Sequence, residues 1–226
     1  MVLLCCEFKF HPHAVLDGYT AFAAMTPEQE AVLEGPGNKL LVRVHNLGNM
    51  TGLVIVETTN AEAYYDSCFN WTGEGTMDVL VRPILHEDDV VALLRSTESP
   101  PVVSPYVGLD ASLEEGESLY KLSWKLYPDK KAEAFETLKN LTAEQRQASI
   151  GNIRILGQWF FVGLGDGFVL AAAKSPRDVM SYAKNWITSY DMVVEPVVSD
   201  EVTRRIVKSK AGYEKKLASL MEKMKM

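Results

Sequence analysis

The stretch Phe8-Lys9-Phe10-His11-Pro12 returns later in the chain as Trp124-Lys125-Leu126-Tyr127-Pro128. Three further motifs recur at nearly the same separation, about half the chain length: Thr26 to Gln29 with Thr142 to Gln145, Asn70-Trp71 with Asn185-Trp186, and Asp78 to Pro83 with Asp191 to Pro196. Solenoid repeats have periods of about 20 to 50 residues, so a period this long indicates a duplicated domain. A length of 226 residues accommodates two such domains.

The composition is that of an ordinary globular protein, with 47% hydrophobic and 23% charged residues. A formal net charge of -7 argues against nucleic-acid binding, which requires a basic surface. No apolar run is long enough to span a membrane, so we expect no membrane partner. The cysteines Cys5, Cys6 and Cys68 are odd in number and two are adjacent, which favours reduced thiols and a cytoplasmic location.

Within each copy, the hydrophobic pattern predicts the element order β-α-β-β-α-β, which is that of a ferredoxin-like unit. The first copy has predicted strands at 2–10, 40–45, 52–58 and 77–85, helices at 14–25 and 61–71, and a helical turn at 27–33. The second has predicted strands at 119–126, 153–162, 167–173 and 192–198, and helices at 132–141 and 176–189.

These elements predict a first unit at 1–95, a linker at 96–116, a second unit at 117–200 and a C-terminal amphipathic helix at 201–226. The linker is predicted from its prolines, serines and acidic run. The helix is predicted from an apolar stripe among lysines that consists of Tyr213, Leu217, Leu220, Met221 and Met224. We expect this stripe to pack on the body of the protein or on a second chain.

Several short motifs of the first copy resemble a known family. They are the opening strand with its Phe8 to Pro12 ending, Arg43-Val44-His45, Gly52 to Glu57, and Trp71 followed by Asp78 to Pro83. Together they resemble the uncharacterised domain-of-unknown-function 3303 family, in the dimeric α+β barrel superfamily. The resemblance implies an α+β fold in which two tandem ferredoxin-like units form an intramolecular pseudo-dimeric barrel. That superfamily includes cofactor-free monooxygenases, haem-degrading enzymes, decarboxylases, cyclases and non-catalytic proteins, so the fold alone does not decide the function.

A polar face is predicted on the first sheet. Residues two apart in a strand share a face, which groups Arg43 with His45. If the hairpin is centred near Gly48-Asn49, Ile55 and Leu53 lie opposite them, and Glu57 falls on the same face. Strand parity adds Glu7, Lys9 and Arg82 to this face. The matched positions in the second copy include Gln158, Phe160 and Ala172, so that copy has lost the Arg, His and Glu side chains together.

The contrast between the copies predicts a site in the first copy that the more apolar second copy covers. The predicted catalytic residues are His45, Arg43 and Glu57, and the predicted ligand-binding residues are Glu7, Lys9, Arg82 and His11. Of the residues on the polar face, the family resemblance favours His45, Arg43 and Glu57 as functional residues. The alternative interpretation of the same residues is a structural ladder of ion pairs across the sheet. Neither a Cys-x-x-Cys nor a His-Glu-x-x-His spacing occurs, so we predict no metal site.

Two functional hypotheses follow. In the first, the protein binds or acts on a small apolar molecule with a carbonyl or carboxylate, without a cofactor. His45 would then move a proton, Arg43 would stabilise negative charge, and Glu57 would orient His45 or act as a base. Haem, with His45 or His11 as axial ligand, is a subsidiary option.

In the second hypothesis, the protein is a non-catalytic scaffold that forms homo-oligomers through edge strands or the C-terminal helix. Its interior would be packed solid, and Arg43 would pair with Glu57.

Overall fold

The structure is a computed structural model that describes residues 1–73, 75–96, 112–163 and 165–210. The chain forms two compact units. Unit 1 contains Met1, Cys6–Leu80 and the segment that begins at Val198. Unit 2 contains Val2–Cys5 and Val81–Val197. Residues 198–210 therefore belong to the same unit as most of the first copy.

The described part of the chain contains eight strands: β1 Val2–Phe10, β2 Asn38–Asn46, β3 Thr51–Thr58, β4 Met77–His86, β5 Ser118–Leu126, β6 Arg154–Phe161, β7 Asp166–Ala173 and β8 Tyr190–Ser199. Their hydrogen-bonded order, β1-β3-β2-β8-β5-β7-β6-β4, closes as a barrel. The predicted fold class, an α+β barrel of two tandem ferredoxin-like units, is confirmed. Each of these strands has two hydrogen-bonded neighbours, so the predicted association through edge strands is wrong for this part of the chain.

In the described ranges, seven helices lie between the strands: α1 Val15–Ala24, α2 Pro27–Glu34, α3 Ala61–Gly73, α4 Glu87–Arg95, α5 Lys131–Asn140, α6 Ala143–Ile150 and α7 Pro176–Ala183. A 3-10 turn at Pro128–Lys130 precedes α5, and residues 200–210 form a helix after β8 that we call α8. Neither α4 nor α6 was predicted from the sequence. The predicted helix at 176–189 ends earlier, at Ala183.

The repeated Thr-x-x-Gln motif begins a helix in both copies. In α2, the Thr26 hydroxyl accepts from the Gln29 backbone N–H, and the Gln29 side chain accepts from the Thr26 backbone N–H. Thr142 and Gln145 form the same reciprocal pair at the start of α6. Such a capping box satisfies backbone donors that the first helical turn leaves open. The recurrence of the motif therefore signalled α6, although the hydrophobic pattern alone did not.

The repeated aromatic residue of the opening strand packs on a glycine of the neighbouring strand. A Cβ atom at Gly52 would lie 2.2 Å from the Phe8 ring, and one at Gly167 would lie 2.5 Å from the Trp124 ring. Only a residue without a side chain leaves room for the ring at these positions. Phe8 and Trp124 each belong to the apolar core of their own unit.

Two sequence predictions concern residues outside the described part of the chain. Most of the predicted linker at 96–116 lies there, as do Tyr213, Leu217, Leu220, Met221 and Met224 of the C-terminal stripe. Within the described residues, no helix has the length and apolar character needed to cross a membrane. The thiols of Cys5, Cys6 and Cys68 are free of disulfide bonds.

Candidate functional site

A cavity of about 120 Å³ lies in unit 1 between the sheet and its helices. All of its walls come from unit 1. The sheet contributes Cys6, Phe8, Phe10, Arg43, His45, Val54, Val56, Met77 and Val79, and the helices contribute Tyr19, Phe22, Glu30, Leu33, Glu34, Tyr64, Ser67, Cys68 and Trp71. The lining is mostly apolar and aromatic, with a few polar groups. This is the usual composition of a small-molecule site.

His45 is a buried polar residue on the sheet wall of this cavity, with 2% of its surface exposed. Its Nε2–H donates to Asp200 Oδ1 at 2.8 Å. A carboxylate only accepts, so this bond places the hydrogen on Nε2 and leaves Nδ1 as an acceptor in the neutral ring. Nδ1 is buried and has no hydrogen-bond partner among the described residues. Buried polar atoms without partners are rare, and a catalytic role is one of the explanations for them.

Aromatic rings enclose the His45 imidazole. The ring centroids of Phe8 and Tyr19 each lie 5.7 Å from that of His45, and the centroid of Phe22 lies 5.1 Å away. These rings keep His45 in one orientation and exclude water from its faces. The imidazole is therefore held by packing as well as by its bond to Asp200.

Tyr19 brings a second polar group to the cavity. Its hydroxyl is buried and has no hydrogen-bond partner among the described residues. Burial raises the pKa of Tyr19 to about 12, so the hydroxyl remains a neutral donor at physiological pH. Two residues that line the cavity therefore carry polar atoms without a partner among the described residues: an acceptor on His45 and a donor on Tyr19.

Arg43 is surrounded by carboxylates. Its Nη1 lies 3.1 Å from Glu30 Oε1 and 3.2 Å from Asp200 Oδ2, and its Nη2 lies 3.4 Å from Glu34 Oε1. Burial is the main cause that raises the pKa of Glu34. The guanidinium of Arg43, which was predicted to stabilise negative charge on a ligand, is thus paired with carboxylates of the protein itself. One of these is Asp200, so Arg43 holds in place the carboxylate that binds His45.

Arg204 attaches α8 to the helices of unit 1. Its Nη1 donates to the carbonyl oxygens of Phe22 at 2.7 Å and Met25 at 3.1 Å, and its Nη2 donates to Glu30. Its guanidinium also lies 4.2 Å from the centroid of the Phe22 ring. Asp200 and Arg204 are four residues apart on α8 and so lie on the same helix face. The contacts of Arg204 therefore help to place Asp200 beside His45.

Glu57 does not join Arg43 and His45. The observed register pairs Arg43 with Val54 and His45 with Gly52, whereas the predicted register paired them with Ile55 and Leu53. A shift of one residue moves a side chain to the opposite face of the sheet. Glu57 consequently lies across from Lys39 on the face away from the cavity, and Asp200 occupies the role of orienting His45 that was predicted for Glu57.

The four predicted ligand-binding residues also lie elsewhere. Because Cys6, Phe8 and Phe10 line the cavity, strand alternation places Glu7 and Lys9 on the opposite face of β1. The cavity in unit 1 is thus on the apolar face of this strand, between the sheet and its helices. It is not on the face predicted to look toward the second copy.

His11 and Arg82 make contacts outside the cavity. The Nδ1 of His11 donates to the Gly75 carbonyl at 2.9 Å and its Nε2 lies 3.0 Å from Asp78 Oδ1. Arg82 belongs to unit 2, where its guanidinium stacks 3.3 Å from the Phe161 ring centroid and lies 3.4 Å from Asp166.

Five residues of this site were not predicted from the sequence as site residues: Asp200, Tyr19, Glu30, Glu34 and Arg204. One signal for Asp200 was present in the repeat, because Glu87 and Asp200 each lie four positions after the matched prolines, Pro83 and Pro196. An acidic residue thus opens the closing helix of each copy.

Residues 2–98 and 118–211 match the family described as Domain of unknown function (DUF3303). The chain belongs to this family.

No curated protein matches the sequence. Among solved structures, the chain is similar to a variant of DypB from Rhodococcus jostii RHA1 in complex with heme, at a TM-score of 0.51 and 8% identity, covering 90% of this chain and 95% of that chain. A dye-decolorizing peroxidase from Bacteroides thetaiotaomicron VPI-5482 matches at a TM-score of 0.50 and 9% identity, over 91% of this chain and 94% of that chain. Identities this low show a shared fold only.

The residues of unit 1 do not fit a haem. A cavity of about 120 Å³ is far below the roughly 300–1,000 Å³ of pockets for drug-sized ligands. The Nε2 of His45 is bonded to Asp200, and both ring nitrogens of His11 have protein partners. In the described ranges, no group of three or more His, Cys, Asp and Glu residues is placed to hold a metal ion.

Proposed function

We propose that unit 1 binds a small apolar molecule that carries one hydroxyl or enol group, and that His45 accepts the proton of this group. The observation that carries the proposal is the buried imidazole of His45, which lines an apolar cavity, whose Nε2 is fixed by Asp200, and whose Nδ1 has no hydrogen-bond partner among the described residues. A histidine oriented by a carboxylate, with its second nitrogen available, has the arrangement of a general base.

The proton transfer is balanced by groups already present. The substrate O–H bond breaks, its proton moves to His45 Nδ1, and the electron pair stays on the substrate oxygen. Asp200 stabilises the imidazolium that forms, and Arg43 holds Asp200 in place. The Tyr19 hydroxyl is the available donor for the developing oxyanion, because burial keeps it protonated.

The cavity limits the size of the substrate. An apolar cavity of about 150 Å³ accepts one benzene molecule. The cavity of unit 1, at about 120 Å³, is therefore suited to a molecule no larger than one ring. The scaffold hypothesis required a solid interior and an Arg43–Glu57 pair, whereas the carboxylate partners of Arg43 are Glu30, Glu34 and Asp200.

Fluorine NMR with 4-fluorophenol tests this proposal, because the chemical shift of the fluorine reports both binding and ionisation. We expect saturable binding to the parent protein and a change in the fluorine chemical shift caused by the hydrogen bond from the phenol hydroxyl to His45 Nδ1, since a phenol is a weaker acid than an imidazolium and stays protonated in the ground state. His45→Gln should abolish that shift, whereas the matched variant His11→Gln, which changes a histidine outside the cavity, should preserve it. Thermal melts of the same samples establish that both variants are folded. Equal binding and an equal shift in the parent and His45→Gln proteins would refute the proposal.

A further inference from the structure

Unit 2 contains a cavity of its own, at the position that corresponds to the cavity of unit 1. It measures about 350 Å³ and is lined only by residues of unit 2. Gln158 and Phe160 on β6 occupy its sheet wall, where the matched positions of the first copy have Arg43 and His45. This volume falls within the range of about 300–1,000 Å³ that is typical of small-molecule pockets.

The wall of this cavity is rich in aromatic rings. Trp124 makes edge-to-face contacts with Phe160 at 4.7 Å and with Tyr190 at 5.2 Å between ring centroids. Trp186 makes a third such contact with Tyr190, at 5.9 Å. These mutual contacts hold the rings in defined orientations, so they form a preorganised surface for another flat ring.

Two polar groups on the wall are available to a ligand. Gln158 and Tyr190 line the cavity, and neither side chain has a hydrogen bond to another residue in the described ranges. The Gln158 amide offers both a donor and an acceptor, and the Tyr190 hydroxyl does the same. Burial raises the pKa of Tyr190 to about 12, so its hydroxyl is neutral at physiological pH.

The charged groups at this cavity disfavour an anion. Glu87, Asp88 and Glu133 line it together with one arginine, Arg146. That arginine is already paired, since its Nη1 lies 3.0 Å from Glu87 Oε2 and 3.5 Å from Asp88 Oδ1. Acidic groups thus outnumber arginine at this cavity.

We propose that unit 2 is a second binding site, for an uncharged aromatic molecule of about two fused rings that carries a hydroxyl or carbonyl group. The ring system packs on Trp124, Phe160 and Tyr190, and the polar group bonds to Gln158 or Tyr190. The base proposed for unit 1 has no counterpart at the matched position, because Phe160 stands where the first copy has His45. This site does not depend on the function proposed for unit 1, and its ligand is too large for the unit 1 cavity.

Isothermal titration calorimetry of the full chain with 2-naphthol at neutral pH tests the second site. We expect one molecule bound per chain. Gln158→Leu, which keeps the size of the side chain and removes its amide, should weaken binding about three- to tenfold. Tyr190→Phe should weaken it if the hydroxyl supplies the bond, and at least one of the two variants must show the loss.

His45→Gln should bind 2-naphthol as the parent does. The anion 2-naphthoate, with the same rings, should bind at least about tenfold more weakly than 2-naphthol.

Three results would overturn the inference. The first is no saturable heat with 2-naphthol up to its solubility limit. The second is unchanged affinity in both Gln158→Leu and Tyr190→Phe, or a loss of binding in His45→Gln, which would assign the ligand to unit 1. The third is equal or tighter binding of 2-naphthoate. The proposal for unit 1 is read from the effect of His45→Gln, and the proposal for unit 2 from the effects of Gln158→Leu and Tyr190→Phe. Failure of one proposal is therefore distinguishable from failure of the other.

Discussion

The Nε2–H of His45 donates to Asp200 Oδ1 at 2.8 Å although the two residues are 155 positions apart in the chain. His45 lies on β2 of the first copy, and Asp200 begins the helix that follows the last strand of the second. Both belong to unit 1, because the segment from Val198 packs with Cys6–Leu80. The candidate site of the first copy is therefore completed only after the second copy has been added to the chain.

Removing the carboxylate of Asp200 should weaken both the site and the fold. Asp200→Ala leaves both ring nitrogens of His45 without a side-chain partner and deprives Arg43 of one carboxylate. We expect a loss of about 2 kcal/mol in the free energy of unfolding, measured by urea denaturation, and loss of the 4-fluorophenol shift. Asp200→Asn keeps an acceptor for Nε2 and should lose less stability. Equal stability of the parent and Asp200→Ala proteins would contradict the central position assigned to this bond.

Tyr19→Phe should weaken ligand binding without lowering stability, in contrast to Asp200→Ala. The Tyr19 hydroxyl has no hydrogen-bond partner among the described residues, so its removal abolishes no intramolecular bond there. Replacing an unsatisfied buried hydroxyl by a hydrogen is neutral or stabilising. We expect an unchanged or higher melting temperature together with about three- to tenfold weaker 4-fluorophenol binding. A clear drop in melting temperature with unchanged binding would show that the hydroxyl is structural.

Local sequence predicted the strands and the shared face of Arg43 and His45, because both depend only on alternation along one strand. The sheet face on which Glu57 lies depends on the register between β2 and β3, which the loop between them sets. β2 ends at Asn46 and β3 begins at Thr51, and this four-residue loop sets a register one step away from the predicted one. The observed pairs are symmetric about Gly48-Asn49, so the predicted hairpin centre was right and the pairing derived from it was one residue off, which placed Glu57 on the wrong face.

The partners of Arg43 could not be predicted in this way, because they come from helices and not from strands of the same sheet. Glu30 and Glu34 are on α2, and Asp200 is on α8. Alternation along strands shows only which charged residues of the strands share a sheet face, and it gives no information about charges that the covering helices supply. The helices that cover the face supply them here, which changes Arg43 from a ligand-binding residue into one that positions a carboxylate.

Gly167→Ala should be strongly destabilising for steric reasons. A Cβ at this position would lie 2.2 Å from the carbonyl oxygen of Trp159 and 2.5 Å from the Trp124 ring, so backbone must move to admit it. We expect a loss of about 1–3 kcal/mol in the free energy of unfolding. The control is Gly48→Ala, whose Cβ would meet nothing closer than Asn46 Oδ1 at 3.4 Å and which should change stability by less than about 0.5 kcal/mol. Equal effects of the two substitutions would rule out the steric explanation.

The His11–Asp78 pair should make stability depend on pH in a defined direction. The hydrogen bond to Asp78 is the first cause that raises the pKa of His11 above its ordinary value of 6.5, and the bond to the Gly75 carbonyl is the second. A raised pKa means that the folded protein holds the proton more tightly than the unfolded chain does. The contribution is therefore fully present below pH 6.5 and is lost as the pH rises through the higher pKa of the folded state.

Asp78→Asn should accordingly lower the melting temperature at about pH 5 and have little effect at about pH 9, where His11 is neutral in both states. Asp66→Asn is the matched control, since Asp66 is an exposed acid on α3 that makes no ion pair within the described residues. Its effect on the melting temperature should be small at both pH values. If the Asp78→Asn difference is the same at the two pH values, the charge on His11 does not contribute to stability, and the pair serves only to place the end of β1.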